Sequence, residues 1–129
     1  MSLLLCLLSL IQTFSLFLNM DKIEWFVIKK PQHEGKIEKI EAGGKKLCLI
    51  LWDGQLYATS SRCPHAGADL SGGWCEEKKL VCPYHRHRFD LRTGKGDAGQ
   101  GDYIDVFPLK EEGNQWYVGI KKPWWKNIF

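Results

Sequence analysis

Two short segments concentrate the chemistry of this sequence. Cys63-Pro64-His65 and Cys82-Pro83-Tyr84-His85 form a C-x-H and a C-x-x-H pair separated by sixteen residues. Thiolate and imidazole are the side chains of choice for soft and borderline transition metals. Two such pairs, each on a turn-rich segment, point to a metal site. Buried structural cysteines and satisfied histidines would call for apolar neighbours, whereas Pro, Gly, Arg and Asp surround these four. A Cys₂His₂ set also suits one tetrahedral zinc, but paired zinc ligands are usually spaced by two to four residues. The single-residue gap at Cys63-x-His65 is unusual for that. In an extended segment, residues i and i+2 project to the same side about 6.5 Å apart, which suits ligands reaching two different metal atoms.

The other cysteines offer no comparable chemistry. The chain has five in all, an odd and scattered set that does not read as a disulfide framework. Cys48 lies in the apolar run KLCLILW and reads as a small buried hydrophobe. Cys6 belongs to an apolar leader, and Cys75 sits in a polar spacer without an assigned role. His33, in KKPQHEG, reads as a surface-loop residue.

The elements that must position the two pairs are short strands. IEWFVI (23–28), KLCLILW (46–52), QLYATS (55–60), KLVC (79–82), RFDL (88–91), YIDVFPL (103–109) and QWYVGI (115–120) are rich in β-branched and aromatic residues. Asp53-Gly54 between two of these runs predicts a two-residue hairpin, because both residues tolerate the positive φ of a type I′ turn. EEGN predicts a second hairpin near the C-terminus. No stretch after Met20 keeps a helical period over three turns. The expected class is therefore all-β, a small sandwich or stack of antiparallel sheets. Residues 61–78 and 92–102 resist assignment to strands. Loops of that length in a compact domain are commonly functional. The first carries Cys63 and His65. The second, with four glycines, is pliable enough to fold over the Cys82–His85 loop.

The whole chain sets wider bounds. Its 129 residues suit one domain, 44% hydrophobic and 26% charged residues are ordinary for a globular protein, and a net charge of +3 makes no case for nucleic acid. Residues 1–19 carry no charge. They lack the basic start and small-residue cleavage site of a secretory signal, and fall a little short of a membrane span. The expectation is an over-extended start, with the native chain beginning at Met20 and the domain covering 20–129. A membrane anchor and a helix packed on the domain are the alternatives. The C-terminal PWWKNIF is expected to pack back on the sheet.

The segments RCPHAGADLSGG (62–73) and VCPYHRHRFDLRTG (81–94) together resemble the Rieske-type [2Fe–2S] ferredoxins. The resemblance extends from IEWFVI to QWYVGI. It implies stacked antiparallel sheets with a two-loop cluster-binding subdomain, the loops at about 61–78 and 81–92. It also implies one [2Fe–2S] cluster per chain, with Cys63 and Cys82 on one iron and His65 and His85 on the other. Two thiolates leave the oxidised cluster neutral, where four would leave it negative, so histidine ligation raises the potential. Loss of the second ring proton on oxidation would make that potential fall at alkaline pH. In respiratory relatives a disulfide bridges the two loops. Here Ala68 and Tyr84 hold those places. The positions of the Ser and Tyr that donate to the cluster sulfurs there look like His87 and Phe89 here, so the resemblance implies a low potential. The pattern usually has Gly after the second histidine. Arg86 in its place implies either that this turn keeps a negative φ or that the loop differs locally.

The implied function is one-electron transfer from a flavin-type reductase to a terminal oxygenase or similar acceptor, in the cytoplasm, with no nucleic-acid partner and no membrane contact unless the leader is real. No nucleophile–base pair or phosphate loop is recognisable, and the chain is too short for the second, mononuclear-iron domain of the larger oxygenases. Arg86, His87 and Arg88 offer a candidate basic docking rim, or simply a solvated face. The rival readings are the small subunit of an assimilatory nitrite reductase, a zinc-binding interaction module and a metal-free structural domain.

Overall fold

The structure, a computed structural model, describes residues 22–65 and 67–122. The leader, the start at Met20 and the PWWKNIF tail lie outside the described residues. The chain divides into two units, Met1–Glu24 with Lys121–Phe129, and Trp25–Ile120. The described part of the first is only the outer ends of two strands. The second holds everything considered below.

Among the described residues, nine strands form three antiparallel sheets, as an all-β reading requires. β1 (Lys22–Ile28), β9 (Gln115–Lys122) and β8 (Leu109–Glu112) make one, in that order. β2 (Ile37–Ala42), β3 (Lys45–Trp52) and β4 (Gln55–Ser60) make the second. β5 (Trp74–Glu76), β6 (Lys79–Val81) and β7 (Arg88–Asp90) make the third.

β3 explains why its sequence is a nearly unbroken apolar run. Leu47, Cys48, Leu49 and Ile50 are all fully buried. Side chains alternate along a strand, and here the two faces line two different cores. Leu47 and Leu49 pack with Ile28, Leu56, Ala58, Val118 and Ile120. Cys48 and Ile50 pack with Leu70, Leu80, Phe89 and Leu91, and with Cys63 and Cys82. The cysteines of the candidate site are thus planted in the floor of the second core. Burial pushes the Cys48 thiol up to about 12, consistent with an inert packing residue.

The Asp53-Gly54 hairpin forms as expected. Both residues have positive φ, 53° and 75°, the type I′ signature. Glu34 clamps the turn, its two carboxylate oxygens accepting the Asp53 and Gly54 N–H groups at 2.7 and 2.9 Å. Two further I′ turns were not anticipated: Gly43-Gly44 between β2 and β3, and Glu77-Lys78 between β5 and β6. β2 and β5 are likewise strands that the sequence reading left out. The expected strand 103–109 does not form a ladder. Ile104 N–H bonds to Gly94, the Asp105 carbonyl to Ser60 and Phe107 N–H to Ala58, so its bonds go to two different segments. Strand pairing starts only at Leu109, beyond Pro108, which has no N–H to give. His33 is exposed, as a surface residue should be.

Candidate metal centre

The two pairs sit on two loops with the same backbone bonding. In the first, Cys63 N–H donates to the Ala68 carbonyl at 2.8 Å and Gly67 N–H donates to the Cys63 carbonyl at 2.8 Å. In the second, Cys82 N–H donates to the His87 carbonyl at 2.8 Å and Arg86 N–H donates to the Cys82 carbonyl at 3.1 Å. Each cysteine therefore roots a turn closed at the fourth and fifth residues beyond it. Each turn passes through positive φ at the same place, 69° at Gly67 and 56° at Arg86. The expected negative φ at Arg86 is thus overturned. The loop keeps its shape, and a non-glycine residue takes the left-handed conformation.

This geometry decides what each side chain faces. At the roots, Cys63 and Cys82 are 1% exposed. At the tips, His65 and His85 are exposed, with ring centroids 5.2 Å apart and planes at 84°. Cys63 and His65 therefore do not lie on the extended backbone expected from their spacing. The segment is a turn, and residues i and i+2 face opposite environments, core and solvent.

The second loop is braced from behind. Asp90 Oδ1 accepts the N–H groups of Arg92 and Thr93 at 2.8 and 3.0 Å, and Gly94 N–H bonds back to the Asp90 carbonyl at 2.8 Å. Burial alone would raise the Asp90 carboxyl, but these bonds outweigh it and hold the group below the usual range. Gly94 is required twice over. Its φ is 78°, and a Cβ there would lie 2.0 Å from the Ile104 carbonyl oxygen. On the first loop, Asp69 accepts from Ser71 N–H at 3.0 Å and from Lys39 of β2 at 2.5 Å. The Lys39 bond, then those from Ser71, draw its carboxyl down to about 2.

The glycine-rich segment 92–102 does lie against the second loop. Gln100 holds both the N–H and the carbonyl of Arg88, at 2.9 and 3.1 Å. His87 Nδ1 lies 3.1 Å from Asp102 Oδ2. Sequence reasoning missed Gln100 and Asp102, whose partners are twelve and fifteen residues away with no local signal to mark them. The proposed basic rim largely dissolves. Arg88 is engaged by Glu77 at 3.0 Å, with Glu76 and Asp97 within 4 Å, and His87 is held by Asp102. Arg86 alone of the three is left exposed. Cys75 lies against the second core, and burial raises its thiol to about 11.

Among the described residues, no three His, Cys, Asp or Glu side chains are grouped as a single metal ion would require. A [2Fe–2S] cluster asks only two side chains of each iron. Two buried thiols at the roots and two exposed imidazoles at the tips of matched loops supply that number and type of donors.

An all-β domain that presents two cysteines and two histidines on paired turns belongs to the iron–sulfur electron carriers in form. The Rieske [2Fe-2S] domain profile matches residues 24–107. The ferredoxin component of a naphthalene 1,2-dioxygenase system from Pseudomonas aeruginosa is 36% identical over 88 residues, 67% of this chain and 85% of that protein. The solved complex of reduced oxygenase and oxidised ferredoxin in carbazole 1,9a-dioxygenase contains a chain similar in structure, with TM-score 0.65 and 26% identity over 73% of this chain and 91% of that one. A nitrite reductase small subunit from Mycobacterium tuberculosis shares the fold, with TM-score 0.70 at 18% identity, covering 78% and 97% of the two chains. The chain belongs to the Rieske [2Fe–2S] domain family. Its cofactor is one [2Fe–2S] cluster, and its role is one-electron transfer.

Proposed function

We propose that Cys63 and Cys82 hold one iron, that His65 and His85 hold the other, and that the chain passes single electrons from a flavin-type reductase to a terminal oxygenase. The loops doing so span about 61–78 and 81–92, within a domain of residues 20–129. The single observation that carries this reading is the burial gradient on two equivalent turns, with thiols rooted in the core and imidazoles at the exposed tips. When bound, the cluster supplies a one-electron couple near the surface. The protein's own residues do the rest. The cysteine roots exclude water from the sulfur side, and the turn bonds hold the ligands in place without reorganisation. The exposed His65 and His85 edges offer the short path by which an electron leaves. The dioxygenase ferredoxin relatives favour an oxygenase as the electron acceptor, and the reductase and a cytoplasmic location belong to the proposal. Among the described residues no helix is long and apolar enough to cross a membrane.

Low potential follows from the second loop. Phe89 is fully buried and has no hydroxyl, and the Nδ1 of His87 is committed to Asp102. Neither is set to donate to a cluster sulfur through those atoms. The test is anaerobic purification followed by visible absorption, EPR of the reduced protein and single substitution of each of the four residues. The expected result is a coloured protein with a reduced-state signal, lost in Cys63→Ser and Cys82→Ser. It should then be reduced by a flavin reductase and reoxidised by a terminal oxygenase. A colourless protein carrying stoichiometric zinc would overturn the reading.

A further inference from the structure

One more imidazole is built into this site. The His87 ring lies 4.5 Å, centroid to centroid, from the His65 ring, with the planes only 22° apart. The His85 ring is 6.4 Å from it at 62°. His87 therefore lies face to face with one of the two tip imidazoles and not with the other. Its opposite edge is anchored. Nδ1 meets Asp102 Oδ2 at 3.1 Å, Asp102 Oδ1 accepts from Gln100 Nε2 at 3.1 Å, and Gln100 grips the Arg88 backbone. The His87 and Asp102 side chains are 21% and 18% exposed, so water competes little for the bond. A carboxylate at Nδ1 places the ring proton there and stops the ring from turning.

We propose that His87 is a positioning residue, a ring anchored by Asp102 that sets the orientation of the His65 imidazole stacked on it. This rests on the reading of His65 and His85 as iron ligands. Rotation of an imidazole about its bond to iron changes the overlap of its π system with the metal orbitals, and so changes the coupling between the unpaired electron and that nitrogen. The anchor crosses from the segment 92–102 through His87 to the His65 ring of the first loop.

Pulsed EPR of the reduced, cluster-loaded protein reads this directly, because each ligating nitrogen gives its own coupling. His87→Ala is expected to shift or broaden one of two nitrogen couplings and leave the other in place. Asp102→Ala is expected to broaden the same one. His87→Phe, which keeps a stacked ring without the anchor, should fall between His87→Ala and the parent. Where His87→Ala fails to take up the cluster, the comparison of His87→Phe with Asp102→Ala serves in its place. Couplings unchanged in every variant, or both altered equally, would overturn the positioning role. Fewer than two nitrogen couplings in the parent protein would instead overturn the ligand reading beneath it.

Discussion

Arg86 is the residue at which the local rules and the fold disagree, and the disagreement has a size. Its φ of 56° places it in the left-handed region, where a non-glycine residue costs about 1–2 kcal/mol. Among the described residues its side chain has no hydrogen-bond or ion-pair partner to offset this. Arg86→Gly removes the strain but loosens the unfolded chain, which returns roughly 0.4–1 kcal/mol. The net expectation is a gain of about 0.5–1 kcal/mol, or roughly 2–5 °C in melting temperature for a domain of this size. The first loop supplies the reverse experiment. Gly67 occupies the equivalent place at φ 69°, and a Cβ there would meet only the flexible end of Arg62, at 3.0 Å. Gly67→Ala should therefore cost about 1 kcal/mol or more through φ alone. The assay is anaerobic melting of the cluster-loaded proteins at one scan rate, since loss of the cluster makes unfolding irreversible. An Arg86→Gly protein that melts at or below the parent would refute the claim that the two loops share one backbone path.

Other substitutions and conditions test other parts of the structure. Gly73 has an ordinary φ of −86°, but a Cβ there would lie 1.9 Å from the Val81 carbonyl oxygen. Gly73→Ala should cost about 3 kcal/mol or more, seen as a lower denaturation midpoint or loss of soluble protein. The Asp69 carboxyl, drawn down to about 2 first by Lys39 and then by Ser71, lies below its unfolded value of about 3.9. Its contribution is therefore present above pH ~4 and lost as pH falls from ~4 toward ~2. The side chain is half exposed, so the loss is held to about 1 kcal/mol or less, and Asp69→Asn should flatten denaturation midpoints across that window. The midpoint potential of the loaded protein should fall near the ~−150 mV end of the Rieske range. A value toward its positive end, measured by redox titration, would show that sulfur-directed hydrogen bonds have been overlooked.

Much of the sheet framework was legible because its strands are long or strongly β-branched. KLCLILW carries enough apolar side chains to be buried on both faces, and Asp53-Gly54 is unambiguous turn chemistry. β2 was missed because IEKIEA places its isoleucines three apart, a spacing that mimics no strand period. β5 is only three residues long and opens on a polar turn, Glu77-Lys78, whose left-handed residues carry no glycine to announce it. YIDVFPL has the right composition for a strand, but its neighbours in space differ from residue to residue, and no local pattern reveals that. In the site, the four residues stood out by type and spacing, while the shape of the loops did not. A one-residue and a two-residue spacer look like different geometries on paper. In the folded chain both are the same turn read at adjacent positions.

That equivalence explains how a small domain makes a two-ended site. A turn whose root residue receives a bond from the fourth residue and gives one to the fifth must hold its root against the sheet and its middle away from it. Placing cysteine at the root of both turns commits both sulfurs to the core that β3, Leu80 and Phe89 build. Placing histidine two residues on in one turn and three in the other commits both imidazoles to the tips. With that offset of one the two rings meet at 84° rather than stacking. The polarity of the site, with insulated sulfur and accessible imidazole, is therefore a property of the backbone turns before any metal enters. A chain that exchanged Cys82 with His85 would keep its donor set and lose that polarity, burying an imidazole where the core offers it no partner and exposing a thiol to solvent.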